Sequence, residues 1–370
     1  MEDSPKHIAI DARIINSSTG TYVERLIHYL EKIDEVNTYS ILVPKKDKDF
    51  YRPSNPNFTV RVADYADYSF SEQLGFLNFL NQLKPDLVHF CMPQQPILYR
   101  GRKVTTVHDL TLLNTYNSDK NWLIFHAKQL VGKFVFKTIS RTNNLIFVPT
   151  RNTEMELIDF APAAAGKTVL TYEAADKLTK SKLEKYDHPF KSYILYVGQQ
   201  SDYKNVVRLA EAHQRLLKRH PDLGLILVGK LNASAQKNKS LFESRGYRNI
   251  HFTDFIPNSQ RDWLYTNASA YVFPSIMEGF GLPGLEAMQY DLPVISSNAS
   301  CLPEVYGEAA HYFNPYDVNS MSTAINDVLT DDKLRSKLIS KAKKQRAKYS
   351  WEKMARETHQ GYMAALEGSE

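Results

Sequence analysis

The amino-acid sequence predicts two successive α/β domains, each built on a parallel β-sheet. Short β-rich apolar runs alternate with longer amphipathic segments, the rhythm of strand–helix–strand units. That rhythm breaks off near residues 172–190 and then restarts. The length of 370 residues suits two domains with separate cores better than one unusually large domain.

The first half reads as HIAI at 7–10, an amphipathic segment from Tyr22 to Leu30, YSILV at 39–43, DLVHF at 86–90, KVTTVH at 103–108 and NLIFVP at 144–149. The second half opens with YILYVG at 193–198, followed by the helical period of Val206, Leu209, Ala210, His213, Leu216 and Leu217. LGLILVG at 223–229, NIHFTDF at 249–255, AYVFPS at 270–275 and LPVISS at 292–297 supply further strands. A basic helix around 334–348 and a last helix from about Trp351 to Leu366 close the chain. Tyr172-Glu173-Ala174-Ala175-Asp176 gives way to a lysine-rich stretch ending at His188-Pro189, where few contacts should cross. The expected domains are therefore 1–180 and 181–348, with 349–370 as a closing helix.

The composition is globular, 43% hydrophobic and 24% charged, with a mean hydropathy of −0.41. Lys and Arg number 46 against 41 Asp and Glu, too small an excess to imply nucleic acid. The start, MEDSPKHIAIDAR, carries acids and a proline in place of a basic region and a long apolar run, so it does not read as a secretory signal. Apolar runs such as Ile194 to Val197 and Leu225 to Val228 fall far short of the roughly 20 residues that span a bilayer. The two cysteines, Cys91 and Cys301, lie far apart with no metal-ligand spacing. A cytoplasmic protein with neither a disulfide framework nor a zinc site is expected.

One segment carries a chemical signal. EGFGLPGLEAM, Glu278 to Met288, contains the G-x-G-x-x-G pattern of dinucleotide-binding loops. It follows a strand, and Pro283 suits the first turn of a helix. Three features oppose a nicotinamide cofactor: the loop lies late in its domain, Glu278 sits where a pyrophosphate would approach, and the next strand ends in Ser297 and Asn298 where a ribose-binding acid is expected. The spacing Glu278-x7-Glu286 reads differently. Glycines let backbone N–H groups approach a ligand at a helix start, Glu286 can accept from both hydroxyls of a ribose, and Glu278 can orient a sugar ring. An isolated pair of this kind fits a capped helix with solvated acids better.

The pair is not isolated. The segment 254–314, with TNASAYVFPSIMEGFGLPGLEAMQYDLPVISSNASCLPEVYGEAAHYFN within it, resembles retaining glycosyltransferase family 4, of the GT-B fold. DARIINSSTGTYVERL at 11–26, TTVHDLTLL at 105–113, YVGQQSDYKNVVRLAEA at 196–212 and SWEKMARETHQGY at 350–362 agree in order and spacing. The resemblance covers nearly the whole chain. It implies two Rossmann-like domains whose parallel sheets face each other across a cleft, with the last helix crossing back onto the first. It also implies transfer of a hexose from a nucleotide sugar to a glycan or lipid-linked acceptor. Glu278, His108 and Lys204 are its implied catalytic residues. Lys204 would neutralise the diphosphate leaving group, an electrostatic stabilisation aimed at the transition state. Glu286 would bind the ribose, Glu278 with the backbone of Phe280, Gly281 and Leu282 would hold sugar hydroxyls, and His108 would face the sugar. Gly198 and Gln199 belong to the lysine loop, Gly20 to the first domain's glycine loop, and Phe255 with Ile256 to the strand end against which the base would lie.

The family commonly adds an arginine near the lysine, where this chain has Gln199 and Tyr203. Gln199, Gln200 or Ser201 donates neutral hydrogen bonds instead, or Arg208 reaches in, or phosphate stabilisation is weaker. The resemblance implies retention and, with no obvious carboxylate opposite Glu278, a front-face reaction in place of a glycosyl-enzyme. No metal is expected; Asp47-Lys48-Asp49 is formally a D-x-D, but lysines surround it and it reads as a solvated charge run. Residues 120–141 mix apolar and aromatic residues with Lys128, Lys133, Lys137 and Arg141 and contain no acid. They read either as a core-packed helix with a basic outer face or as a contact with an anionic membrane. GDP-mannose is the first expectation for the donor, ahead of UDP- and dTDP-sugars. A nucleotide-sugar epimerase of the same fold and a non-catalytic nucleotide-sugar-binding protein are the alternatives.

Overall fold

The computed structural model describes residues 4–17, 19–114, 122–176 and 183–367. The expected boundary at 180/181, Lys120 at the head of the basic stretch and the last three residues of the closing segment lie outside the described residues. In chain order the elements begin with β1 (His7–Asp11), α1 (Gly20–Ile33), β2 (Thr38–Val43), β3 (Phe58–Val62), α2 (Leu77–Leu83), β4 (Leu87–Phe90) and β5 (Lys103–Thr106). They continue through α3 (Thr111–Asn114), α4 (Trp122–Thr142), β6 (Leu145–Val148), α5 (Arg151–Phe160) and β7 (Thr168–Leu170). Next come β8 (Ser192–Val197), α6 (Val206–Leu216), β9 (Leu223–Val228), α7 (Ala233–Ser244), β10 (Ile250–Phe252), α8 (Asn258–Asn267) and β11 (Ala270–Phe273). The chain ends through α9 (Leu282–Gln289), β12 (Val294–Ser297), α10 (Leu302–Tyr306), β13 (Ala310–Phe313), α11 (Val318–Thr330), α12 (Asp332–Arg346) and α13 (Trp351–Glu367).

These elements divide into two compact units, one of Met1–Leu113, Lys128–Glu173 and Ser350–Glu370, the other of Asn114–Ala127 and Ala174–Tyr349. Among the described residues, the first unit holds a parallel sheet in the order β3-β2-β1-β4-β5-β6-β7 and the second a parallel sheet in the order β10-β9-β8-β11-β12-β13. Each is a Rossmann-like α/β layer, as the alternation of strands and amphipathic segments predicted. Helices on both faces explain why central strands read as continuous apolar runs: Ile8, Ala9 and Ile10 of β1 and Leu225 to Leu227 of β9 are wholly buried. The strands the sequence did not reveal are β3, β7 and β13. FTVRV lies at a sheet edge with Val62 exposed, and TVL is too short and half-exposed to leave an apolar signature. The expected strand NIHFTDF shortens to three residues because Asp254 takes a left-handed backbone (φ 58°), which ends the parallel ladder and bridges Gly229 antiparallel.

Helix α1 buries Tyr22, Val23, Leu26, Ile27 and Leu30, the helical stripe read from the sequence. Each such side chain contributes roughly 1.5–3 kcal/mol through burial. The stripe's main partner is α13, which presents Met354, Ala355, Thr358 and Tyr362 to the first unit, so the closing helix belongs to that unit. Tyr362 hydroxyl meets His89 Nδ1 at 2.6 Å, and His89 Nε2 meets Thr106 Oγ1 at 2.8 Å. Burial holds the His89 pKa down at about 3, with the charge of His108 acting in the same direction, so His89 is a neutral bridge between sheet and helix.

Asp34, just after α1, ties the other end. It accepts hydrogen bonds from Val36 N, from Asn37 N and Nδ2, from the Tyr39 hydroxyl and from His359 Nε2 of α13. Burial alone would raise its pKa, but the bonds from His359, Tyr39 and Asn37 outweigh burial and hold it well below the usual carboxylate range. A depressed carboxylate contributes stability that is complete above its unfolded pKa of about 4 and is lost as pH falls through the folded value. Asp34→Ala is expected to cost about 2–4 kcal/mol in urea unfolding at pH 7, with the difference from the parent chain shrinking below pH 4.

Candidate active site

In the second unit, the loops that follow the C-terminal ends of the parallel strands bring several expected residues together, the end of an α/β sheet where ligands bind. Strand β8 runs into Gly198 and then into a tight turn, Asp202–Lys204, that ends in the left-handed Asn205 (φ 61°). Buried Asn205 donates through Nδ2 to Pro274 O at 3.0 Å and to Pro315 O at 2.7 Å. Ile276 N donates to Tyr203 O at 2.8 Å. These bonds lash the lysine turn to the loop after β11, and Lys204 Nζ consequently grips Glu278 at 2.7 Å (Oε1) and 2.9 Å (Oε2). The side chains are 17% and 11% exposed. Burial would lower the Lys204 pKa, but Glu278 more than reverses this and raises it, so the ammonium stays charged. Its Nζ also lies 5.0 Å from the Tyr203 ring centre.

Glu278 is braced from behind. Its N–H donates to Ser300 Oγ (3.3 Å), and its carbonyl accepts from Ser300 Oγ (2.8 Å) and Cys301 Sγ (3.2 Å). Gly281 caps α9 in a left-handed conformation (φ 96°), and no side chain caps that helix. Tyr306 donates to Gly281 O at 2.5 Å and packs so closely that a Cβ on Gly284 would lie 2.3 Å from its ring. The glycine pattern therefore serves a tight helix start on a tyrosine platform. Leu282 opens α9, Pro283 follows in the first turn, and the Phe280 ring packs edge-on against Tyr349 (5.5 Å), so Phe280 has only its backbone to offer a ligand.

Glu286 sits half-buried on α9, apart from the lysine pair, and accepts from the Tyr265 hydroxyl at 3.3 Å. Burial raises its pKa, against the charge of Arg261 and the bond from Tyr265. Arg261 and Tyr265 lie one turn apart on α8. Sequence reasoning missed both, because their i, i+4 spacing marks a shared face and says nothing of which helix that face meets. Beyond β10, Phe255 stands 72% exposed with Lys230 Nζ 5.7 Å from its ring centre, and Ile256 follows half-buried.

The substitutes expected for the absent arginine do not converge on Lys204. Gln199 is exposed and engages the Tyr196 hydroxyl through its backbone carbonyl. Gln200, Ser201 and Arg208 line a different cavity, in which neither Lys204 nor Glu278 takes part, and Arg208 bonds Asn205 Oδ1 at 2.9 Å.

The first unit holds the other two positions. Gly20 opens α1 against the Ile15 carbonyl, where a Cβ would lie 1.9 Å from the oxygen. His108 follows β5 with Nε2 3.0 Å from Cys91 O and Nδ1 3.3 Å from Glu173 Oε1, and the Tyr22 ring meets it edge-on at 4.8 Å. Both neighbours are acceptors, so the doubly protonated ring fits best. Burial opposes the charge, but the Glu173 bond and charge prevail and the His108 pKa is raised. Glu173 was not a sequence candidate, since its role depends on folding over 65 residues. The Asp47-Lys48-Asp49 reading needs correction: Asp47 is buried and accepts from Asn16 Nδ2 at 2.9 Å, because the turn after β2 tucks it inward, while Lys48 and Asp49 stay in solvent.

A family model described as glycosyl transferases group 1 matches residues 180–345. O-antigen chain mannosyltransferase B of Escherichia coli is 31% identical over 275 residues, covering 70% of this chain and 70% of that protein. The serotype-specific mannosyltransferase WbdA of Escherichia coli is 29% identical over 399 residues, covering 98% of this chain but 46% of WbdA, so the chain spans just under half of that relative. Among solved structures, sucrose-phosphate synthase from Thermosynechococcus elongatus matches with a TM-score of 0.77 at 18% identity, covering 98% of this chain and 100% of that one. Anabaena HepE in complex with UDP and glucose matches with a TM-score of 0.69 at 15% identity, covering 97% and 100%. The shared architecture is the GT-B fold of two Rossmann-like domains.

Two outcomes follow from the geometry. Lys204→Ala and Glu278→Ala should each destabilise the chain, and the double variant should recover about 1–3 kcal/mol relative to their sum in a denaturant double-mutant cycle. The His108 imidazole, followed by NMR, should titrate above 6.5 in the parent chain and below it in Glu173→Gln, where burial acts without its counter-charge. A raised histidine stabilises at low pH, and that contribution is lost as pH rises through its folded pKa.

Proposed function

This chain belongs to the group 1 glycosyl transferases and is a glycosyltransferase, and we propose that it moves mannose from GDP-mannose to a hydroxyl of a glycan or lipid-linked acceptor, with retention and without a metal. The mannosyltransferases among its relatives support the sugar. The single observation that carries the chemistry is the Lys204–Glu278 pair beside the uncapped start of α9. In the resting site the two charges satisfy each other. An arriving donor offers each a better partner: diphosphate oxygens for the Lys204 ammonium, sugar hydroxyls for the Glu278 carboxylate. The bond between the anomeric carbon and the diphosphate oxygen breaks as negative charge grows on that oxygen, and Lys204 stabilises it. The acceptor oxygen bonds the same face of the anomeric carbon, and its proton passes to the leaving diphosphate. Backbone N–H groups at the α9 start supply the remaining donors, Glu286 holds the ribose, and His108, whose two N–H groups are committed to Cys91 O and Glu173, faces the sugar with its ring charge.

The proposed acceptor side is the cytoplasmic face of a membrane. In the first unit, exposed Phe70 and Tyr68 join Val131 and Phe134 of α4 around a largely apolar cavity of about 350 Å³, with Lys133, Lys137 and Arg141 exposed on the same helix. An apolar patch on a helix that also exposes cations suits an anionic lipid surface. No described helix is long and apolar enough to cross a membrane.

Turnover of GDP-mannose should continue unchanged in excess EDTA and give a product of unchanged anomeric configuration by proton NMR. Lys204→Ala should lower kcat about 10²- to 10³-fold. GDP should raise the melting temperature more than UDP, dTDP or ADP; stabilisation by UDP alone would refute the donor assignment. The chain should float with vesicles containing anionic lipid at low salt, and Phe134→Asp should abolish this; failure of the parent chain to float would remove the membrane reading.

A further inference from the structure

The cavity that captures Gln200, Ser201 and Arg208 has no place in the donor site. It holds about 340 Å³ and is lined by the turn at 200–202, the first turn of α6, and Asn238 and Arg245 at α7. Its inner wall is unusually polar for so buried a surface. Gln200 is 3% exposed and Ser201 7% exposed. Asn238 Nδ2 donates to Gln200 Oε1 at 3.3 Å, which fixes the amide orientation and leaves Gln200 Nε2 buried without an acceptor. Ser201 Oγ makes no hydrogen bond among the described residues. A buried donor without a partner is destabilising, so its retention needs a reason.

The same cavity meets a helix end that has lost its cap. Asn205 occupies the cap position of α6, but its side chain is committed to Pro274 and Pro315, so no side chain caps the helix. The first bond of the helix is Leu209 N to Asn205 O (3.2 Å), which leaves the N–H groups of Val206, Val207 and Arg208 unpaired among the described residues. Two cations flank them. Among the described residues, Arg208 is engaged by Asn205 Oδ1 and the Tyr316 ring and Arg245 by Tyr247, and neither guanidinium has a carboxylate partner. Two acids also line the cavity: Glu211 is paired with Arg215 at 3.0 Å, and Asp202 is exposed.

Donors in excess, buried and without acceptors, call for an anion rich in acceptors. We propose that this cavity is a second ligand site, which takes a phosphate group, as the free ion or a phosphate monoester, on Gln200 Nε2, Ser201 Oγ, the α6 N-terminal N–H groups and the guanidinium groups of Arg208 and Arg245. The site shares one short loop with Lys204: Ser201 O accepts from Lys204 N at 2.9 Å. A phosphate bound here therefore fixes the far side of the turn that presents the catalytic ammonium, which makes it an effector site. Its ligand is separate from the donor, and the inference stands whether or not the donor is GDP-mannose.

The test is a melting-temperature titration of the full chain with inorganic phosphate, a hexose phosphate and a nucleoside monophosphate, each against chloride at matched ionic strength. A saturable rise is expected in the parent chain and in Lys204→Ala, with apparent affinity weakened roughly tenfold or more in Arg208→Gln. Arg245→Ala, at the exposed helix end, should weaken it too without disturbing packing, and circular dichroism confirms that each variant folds. The probe that saturates at the lowest concentration identifies the source of the phosphate. Absence of a saturable rise in the parent chain, its survival in both arginine variants, or its loss in Lys204→Ala would each overturn the proposal, the last by placing phosphate at the donor site.

Discussion

The grip of Lys204 on Glu278 is the interaction on which the rest of the second unit's ligand-binding end depends. Neither charge is stable where it sits without the other, since a partly buried ammonium or carboxylate left alone carries a desolvation cost of several kcal/mol. The pair exists because two loops from different strands are clamped together: Asn205 bonds the carbonyls of Pro274 and Pro315, and Ile276 bonds Tyr203. Ser300, Cys301 and Tyr306 then hold the glutamate loop and the start of α9 from behind. The geometry thus stores two opposite charges side by side, the state from which the proposed exchange with a nucleotide sugar starts. Electrostatic preorganisation of this kind is what a transfer reaction with a doubly charged leaving group requires.

The first unit follows the same logic with a different charge. His108 lies between two acceptors, Glu173 Oε1 and Cys91 O, so its protonated form is the better fitted one. Helix α13 stabilises that unit through two polar anchors, Tyr362 on His89 and His359 on Asp34, set into an otherwise apolar face. A sequence-distant segment is thereby fixed to the sheet that carries His108.

The architecture was legible because a parallel sheet covered on both faces leaves long apolar runs, and an amphipathic helix such as α1 leaves a stripe. Edge strands such as β3 leave neither. The motif around Glu278 and Glu286 was legible as a glycine-rich helix start, and the lysine loop as a turn before a helix. What the sequence could not convey were partners chosen by folding: Glu173 for His108, Arg261 and Tyr265 for Glu286, Ser300 for Glu278. The burial of Asp47 was hidden for the same reason, since surrounding lysines describe the chain's neighbours in sequence and not those in space. Arg208 is the most informative case. Its position one turn after Lys204 made it a candidate for the diphosphate, but on α6 it lies on a face directed to a separate polar cavity, together with Gln200 and Ser201. The loop that lacks the expected arginine is also the loop whose far side is rich in unused donors.

The central claim is that Lys204 exchanges Glu278 for the donor's diphosphate. A crystal structure with GDP bound measures this directly. A β-phosphate oxygen is expected roughly 3 Å from Lys204 Nζ, with the ammonium drawn away from at least one Glu278 oxygen. A nucleotide bound elsewhere, with both Lys204–Glu278 contacts unchanged, would contradict it.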